Sequence, residues 1–238
     1  KKLNVFFHIY YEIIVNMKVL VFDTETTGLP LGGKNIPVYK TDFFPYIVQF
    51  SWATYDTCST KLNINDYIIQ IPEDEDIPED SIKVHGITNE IMRSQGLPIK
   101  PILRKFTRDL FDCDIIVAHN LPFDKKIVSA EFIRNGQIDW LSRHRKKEYC
   151  TLRNSIDLCC IKVKGKNGNY YNKWPKLMEL HKYLFRSVPN NLHNSLVDIF
   201  VCLRCFHKLY YDTDLLRKGK ELRTYYDELC GFTNKYKL

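Results

Sequence analysis

The most restrictive feature of the sequence is an apolar segment that runs without a break into acidic and hydroxyl side chains. Residues 17–22 are mostly apolar and rich in valine, which predicts a buried strand. The polar run that follows is Asp23, Thr24, Glu25, Thr26, Thr27 and Gly28. Because side chains alternate along a strand, Asp23 and Glu25 project from the same face. The fold must therefore place two carboxylates side by side at the end of a buried strand.

The rest of the chain alternates between strand and helix patterns. We predict further strands over residues 46–55, 62–71, 114–118 and 155–158, and helices over 81–93, 101–111, 123–135, 176–185, 195–211 and 214–230. This order predicts one α/β domain with a mixed sheet. We expect residues 17–211 to form that domain, residues 1–16 a leader or an added strand, and residues 212–238 a helical tail.

Composition narrows the class of protein. The 238 residues are 45% hydrophobic and 26% charged, which excludes a disordered tail, a collagen and a coiled coil. The 35 basic residues exceed the 28 acidic ones by seven, so an anionic partner is permitted but not required. There is no uncharged apolar run of about 18 residues, so we expect no membrane span. Residues 1–16 lack a small-residue cleavage site, so we do not predict a signal peptide.

The eight cysteines leave one question of compartment. An even number suggests a disulfide framework, but such frameworks usually belong to much shorter chains. Cys202 and Cys205 have the spacing of a zinc or redox pair, yet they lie in an apolar helical run without a second Cys/His pair. We therefore expect reduced, mostly buried thiols and an intracellular protein.

Two further acids and a histidine follow other predicted elements. Asp124 lies in the first turn of a helix that follows the strand 114–118, and Asp198 lies near the start of the helix 195–211. His193 precedes that helix on a loop. For Asp23 and Glu25 alone, solvated acids would be the ordinary interpretation. Four acids that can meet at one place favour a site for hard divalent cations, which relieve the repulsion between carboxylates.

This pattern resembles the DEDD exonuclease superfamily in its DnaQ-like branch. The residues that carry the resemblance are Asp23 to Gly28, then His119-Asn120 with Phe123-Asp124, then His193 five positions before Asp198. The last motif is typical of the histidine (DEDDh) group. His85-Gly86-Ile87-Thr88 and the segment 47–50 are similar to two further family elements. The resemblance covers about residues 17–211. It implies a ribonuclease-H-like α/β fold with a mixed, mostly five-stranded sheet flanked by helices.

The resemblance also implies the chemistry and its residues. It implies two Mg²⁺ (or Mn²⁺) ions that promote phosphodiester hydrolysis. Asp23 is expected to bridge both ions, Glu25 and Asp198 to complete the first site, and Asp124 to serve the second. His193 is the expected general base, since a histidine is mostly neutral at pH 7 and can accept a proton.

Substrate contacts are implied for seven residues: Thr26, Gly28, Leu29, His85, His119, Asn120 and Phe123. His119 is expected either to orient the second motif or to contact substrate, and plain core packing remains open for Leu29 and Phe123. Apolar contacts to splayed bases favour single-stranded or frayed 3′ ends.

Two basic segments leave a similar choice between substrate contact and a solvated surface. One comprises Arg143, Arg145, Lys146 and Lys147. The other comprises Lys162, Lys164, Lys166 and Lys173, with Tyr170, Tyr171 and Trp174 among them. Residues 165–169 are expected to form a hairpin or loop tip.

The function implied by the resemblance is a metal-dependent 3′→5′ exonuclease that releases nucleoside 5′-monophosphates from DNA in proofreading or repair. The set of acids and histidine is most similar to that of the proofreading epsilon subunit of bacterial DNA polymerase III, and proofreading would require a polymerase in trans. The same set serves exoribonucleases of the RNase T or oligoribonuclease type, and the 2′-hydroxyl contacts that distinguish DNA from RNA are not visible in a sequence. We favour DNA. A different class, an inactive nucleic-acid-binding module, would lack one of the five residues.

Overall fold

A five-stranded sheet lies at the centre of the structure, a computed structural model that describes residues 16–32 and 36–230. Its strands are β1 (Lys18–Thr26), β2 (Ile47–Asp56), β3 (Leu62–Ile68), β4 (Ile115–Ala118) and β5 (Lys147–Cys150). The spatial order is β3-β2-β1-β4-β5. The pairs β1–β2 and β2–β3 are antiparallel, whereas β1–β4 and β4–β5 are parallel. The prediction of a mixed five-stranded α/β sheet is confirmed.

Nine α-helices lie between and after these strands within the described residues. They are α1 (Glu79–His85), α2 (Asn89–Gln95), α3 (Ile99–Asp112), α4 (Leu121–Arg134), α5 (Trp140–Arg143), α6 (Ile156–Cys159), α7 (Leu177–Phe185), α8 (Ser195–Tyr211) and α9 (Lys220–Cys230). A two-stranded hairpin, β6 (Lys162–Lys164) and β7 (Tyr170–Asn172), lies between α6 and α7. This hairpin confirms the turn expected at residues 165–169.

Alternation along β1 divides the core between the two faces of the sheet. Leu20 and Phe22 pack with residues of α3 and α4 on one face. Val19 and Val21 pack on the other face, against α8. Asp23 and Glu25 continue the second set along the strand. The carboxylates therefore lie on the face that α8 covers.

Three predicted elements differ from the structure, and in one of them, the helix predicted over 214–230, a 3-10 turn (Leu215–Arg217) precedes α9. The segment 155–158, predicted as a strand, forms a 3-10 turn (Arg153–Ser155) followed by α6. The fifth strand is instead β5, an edge strand with the sequence Lys-Glu-Tyr-Cys, whose polar composition hides it. The predicted helix 81–93 is split in two, because Gly86 takes a left-handed conformation with φ 76° that ends α1.

The predicted C-terminal tail contributes to the packed core. In α9, Leu222, Tyr226 and Cys230 are buried. The guanidinium of Arg204 on α8 lies over the Tyr226 ring, 4.8 Å from its centroid. The carboxylate of Asp214 binds the same guanidinium. Residues 220–230 thus share a core with α8, while residues 231–238 and the expected leader, apart from Asn16, lie outside the described residues.

All eight cysteines are free thiols, and five of them are buried. Cys202 packs under the sheet and Cys205 packs with α7 and α9, so their side chains serve two different apolar clusters. Within the described ranges, no helix is both long enough and apolar enough to span a membrane.

Candidate active site

Three carboxylates meet where β1 passes the start of α8. One oxygen from each of Asp23, Glu25 and Asp198 lies within 4.8 Å of the other two. The first two come from alternate positions of β1, and Asp198 comes from the first turn of α8. The structure thus brings together three of the four acids that the sequence singles out.

The fourth acid lies beside this cluster and is fixed by the residue between the first two. Asp124, in the first turn of α4, is buried. Its Oδ1 accepts hydrogen bonds from the Thr24 amide at 3.2 Å and from the Thr24 hydroxyl at 2.9 Å. Thr24 therefore ties Asp124 to the strand that carries Asp23 and Glu25.

Desolvation and mutual repulsion make these acids hard to ionise together. Burial, with repulsion from Asp124, Asp198 and Glu25, raises the pKa of Asp23 well above its usual range. Burial and the charges of Asp198 and Asp124 raise the pKa of Glu25 to about 8. Burial also raises the pKa of Asp124 to about 7, although the hydrogen bonds from Thr24 oppose the shift. Burial raises the pKa of Asp198 to about 7, opposed by the His193 amide.

This donor set fits a divalent cation. Carboxylate oxygens at this separation are ligands that Mg²⁺ and Mn²⁺ prefer, and a cation among them would remove the repulsion. In addition, Oδ1 of Asp198 is buried and has no hydrogen-bond partner among the described residues. A buried carboxylate oxygen without a partner is costly unless a ligand satisfies it.

His193 lies next to the cluster on an exposed loop. Its backbone is left-handed, with φ 71°, and its amide donates to Asp198 Oδ2 at 3.3 Å. The same loop is held from its other side by the end of α9. The Asn190 amide donates to the Cys230 carbonyl at 3.0 Å, and Asn191 Nδ2 donates to the Leu229 carbonyl at 3.3 Å. The loop backbone is anchored while the imidazole faces solvent.

A family comparison agrees with this arrangement of acids. The RNase_T model, described as an exonuclease, matches residues 20–206. The chain belongs to this exonuclease family. The match begins within β1 and ends within α8, so it includes all four acids and His193. Members of the family are metal-dependent nucleases, which agrees with the donor set formed by Asp23, Glu25 and Asp198.

Individual relatives extend the comparison. The epsilon subunit of DNA polymerase III from Rickettsia prowazekii is 28% identical over 143 residues, which cover 60% of this chain and 53% of that subunit. The epsilon subunit from Buchnera aphidicola is 23% identical over 222 residues, covering 92% and 81% of the two chains. The chain spans about half the length of the first curated relatives that it matches.

Among solved structures, E. coli exonuclease I in complex with a dT13 oligonucleotide has a similar fold. The TM-score is 0.60 at 16% sequence identity, over 88% of this chain and 46% of that chain. At this identity the similarity establishes the fold. It agrees with the ribonuclease-H-like architecture expected from the sequence.

The residues after the first motif form an open turn next to the acids. The Thr26 hydroxyl donates to the Gly28 carbonyl at 2.7 Å. Gly28 has φ 156°, and a Cβ there would meet no atom within 4 Å. Leu29 is 76% exposed, so core packing does not explain it. His85 lies near this turn: burial lowers its pKa, and the Thr26 carbonyl opposes that shift.

The second motif has a different character. Both ring nitrogens of His119 are bonded within the protein, Nδ1 to the Thr151 hydroxyl at 2.9 Å and Nε2 to the Pro175 carbonyl at 3.0 Å. Burial lowers the pKa of His119 to about 4, so the ring is neutral and orients the local chain. Asn120 is left-handed with φ 75° and begins α4. Phe123 is half-buried against the main core, so it packs there at least in part.

A buried polar network beside the acids was missed in the sequence. The Ser195 amide donates to Gln49 Oε1 at 3.3 Å, and the hydroxyls of Ser195 and Ser51 are hydrogen-bonded to each other. Asp66 on β3 accepts from both Gln49 and Ser51. This network ties the start of α8 to β2. The sequence does contain a sign of this network, because Gln49 and Ser51 are polar residues in an otherwise apolar predicted strand.

Proposed function

We propose that the protein is a metal-dependent 3′→5′ exonuclease that removes nucleoside 5′-monophosphates from single-stranded or frayed 3′ ends of DNA. The observation that carries the proposal is the meeting of Asp23, Glu25 and Asp198, with Asp124 fixed beside them. The His193 loop completes the set, because its backbone is bonded to Asp198. The whole set lies within the segment that matches the exonuclease family.

The acids would hold the cations and fix their positions. Divalent cations bound there would supply two things: activation of the attacking water and stabilisation of charge on the leaving 3′-oxygen. By the family resemblance, Asp23 would serve both ions, Glu25 and Asp198 would complete the first site, and Asp124 would serve the second. Thr24 keeps Asp124 in place through two hydrogen bonds to one carboxylate oxygen.

His193 would accept the proton of the attacking water. Its ring is exposed, so it can reach substrate and exchange its proton with solvent afterwards. The bond from its own amide to Asp198 keeps the ring near the acids while leaving the side chain free to rotate. A base next to a set of metal ligands fits proton transfer in hydrolysis.

DNA as substrate, and a polymerase as partner in trans, are supported by the relatives. Curated relatives are epsilon subunits of DNA polymerase III, and a structural neighbour was crystallised with a dT13 oligonucleotide. The eight free thiols fit a reducing, intracellular setting. The proposed catalytic domain is residues 17–211, with α9 packed onto it.

The test is digestion of three 5′-labelled substrates: single-stranded DNA, duplex DNA with a mismatched 3′ end, and RNA of the same sequence. Each is incubated with Mg²⁺ or with EDTA. We expect a ladder that shortens from the 3′ end of both DNA substrates, 5′-mononucleotide products, and no reaction in EDTA. Faster digestion of RNA than of DNA would identify RNA as the preferred substrate. Substrates whose 3′ ends stay intact in Mg²⁺ would refute the exonuclease proposal.

A further inference from the structure

The hairpin β6–β7 presents an unusual surface. The segment 162–176 contains five lysines and no acidic residue. Three aromatic rings in it are exposed: Tyr170 at 69%, Tyr171 at 57% and Trp174 at 50%. No ion pair among the described residues involves Lys162, Lys164 or Lys166. Exposed lysines without an ion pair, next to the exposed rings of Tyr170 and Tyr171, favour an external ligand that is both anionic and aromatic.

The base of the hairpin lies at the end of the sheet where the acids are, next to the C-terminal end of β4. Lys173 donates its amide to the Ile161 carbonyl at 2.9 Å, which closes the hairpin. Two residues later, the Pro175 carbonyl accepts from His119 Nε2 at 3.0 Å. His119 directly follows β4 and lies five residues before Asp124. A hydrogen bond from His119 thus connects the segment directly after the hairpin to the second motif.

The register of the hairpin sets its charges beside a ring. Lys164 is paired with Tyr170, and Lys162 is paired with Asn172. Residues directly opposite one another in an antiparallel pair share a face, and alternate residues of one strand do as well. Lys162, Lys164 and Tyr170 therefore lie on the same face. Lysines that neutralise phosphates beside an aromatic ring that stacks on a base are the usual elements of a single-strand binding surface.

The acids give a physical reason for such a surface. Before cations bind, those of the four acids that are ionised repel the phosphates of an approaching strand. Affinity for the strand must then come from positive charge and stacking outside the cluster. The hairpin offers both.

We propose that the β6–β7 hairpin binds the single-stranded polynucleotide on the 5′ side of the nucleotide being removed. Lys162 and Lys164 contact phosphates, and Tyr170 stacks on a base. This inference rests on the proposed nuclease function and adds a substrate-binding surface to it. It separates the residues that cleave the terminal nucleotide from those that hold the strand behind it.

The experiment compares a 20-nucleotide DNA with a trinucleotide, which has little strand behind the nucleotide being removed. The variants are Tyr170→Ser and Lys164→Gln. We expect Tyr170→Ser to lower kcat/KM on the 20-mer by about 5- to 150-fold, the range that loss of one base–ring stack produces. Lys164→Gln should flatten the dependence of log kcat/KM on log salt by about 0.7, the contribution of one phosphate contact to a single strand. Both variants should cleave the trinucleotide within about twofold of the unsubstituted protein.

Lys61→Gln is the matched control. Lys61 is also exposed, but it lies in the turn between β2 and β3, at the opposite end of the sheet from the acids. This substitution should leave kcat/KM unchanged on both the 20-mer and the trinucleotide. Equal losses on the 20-mer and the trinucleotide would make the hairpin a structural support of the site. No change on either would show that the hairpin does not contact the strand. Both outcomes overturn the proposed role of the hairpin. If the unsubstituted protein cleaves neither substrate, the proposed nuclease function is overturned instead.

Discussion

Asp198 and His193 are only five residues apart, yet they lie in opposite surroundings. Asp198 is in the first turn of a long helix, and its carboxylate is desolvated among other acids. His193 is on an exposed loop with a left-handed backbone. Groups that must hold cations at fixed positions gain from regular, buried elements. A group that must receive and release a proton gains from solvent and freedom of rotation.

The largest effect should come from the buried side of this comparison. Asp198→Asn keeps the shape of the side chain but replaces a charged ligand by a neutral amide. We expect nuclease activity with Mg²⁺ to fall to background, measured as mononucleotide release. The variant should fold at least as well as the unsubstituted chain in EDTA, because one repelling charge is gone. Substantial residual turnover in a folded variant would remove Asp198 from the metal site.

Substitution of the exposed residue, His193, should cause a smaller loss of activity, and the loss should be in kcat and not in Mg²⁺ affinity. We expect His193→Ala to lower kcat by roughly 10²–10⁴-fold, the usual contribution of a general base. The Mg²⁺ concentration that gives half-maximal rate should stay the same, since His193 is not proposed as a ligand. The acidic limb of the pH–rate profile should change in the variant. A profile identical to that of the unsubstituted protein would require another base.

Thr24 tests whether Asp124 belongs with the fixed set. Thr24→Val is nearly isosteric and removes the hydroxyl that donates to Asp124 at 2.9 Å. Partners that orient metal ligands contribute about 10- to 100-fold to affinity or activity, so we expect a loss in that range together with a higher Mg²⁺ requirement. Thr54→Val, on β2 away from the acids, is the matched control and should have little effect. Equal behaviour of the two variants would contradict the role of Thr24.

The smallest effect is on stability. The folded-state pKa values of Glu25, about 8, and of Asp124 and Asp198, about 7, lie above the ordinary values of 4.5 and 3.8. Protonated acids therefore stabilise the fold below about pH 4, and this stability is lost as pH rises through 7–8. In EDTA we expect Tm to fall as pH rises from 5 to 8, because these acids must then ionise while buried beside one another.

Two comparisons check that prediction by calorimetry. Mg²⁺ should raise Tm more at pH 8 than at pH 5, because the ionised acids bind it better. Asp198→Asn should weaken the pH dependence of Tm in EDTA. A Tm that rises with pH in EDTA would contradict the repulsion among the acids.

The parts of the molecule that the sequence predicts are those governed by local pattern. Alternation in residues 17–22 and the spacing of apolar residues in α8 fix the faces of these elements, so the positions of Asp23, Glu25 and Asp198 could be anticipated. The family resemblance then predicted that these acids form one site. Edge strand β5 was missed because an exposed strand needs no apolar pattern.

Other features depend on contacts between distant segments. Thr24 binds a residue 100 positions away, and Ser195 binds one 146 positions away. No local periodicity reports such pairs. The packing of α9 was likewise hidden, because its three buried residues depend on surfaces supplied by α7 and α8.

The hydrogen bonds between α9 and the His193 loop give the end of the described chain a mechanical meaning. The carbonyls of Cys230 and Leu229, at the end of α9, accept the bonds from Asn190 and Asn191. A displacement of α9 is therefore carried directly to the loop that holds His193. A force on this helix should act on catalysis before it acts on the sheet.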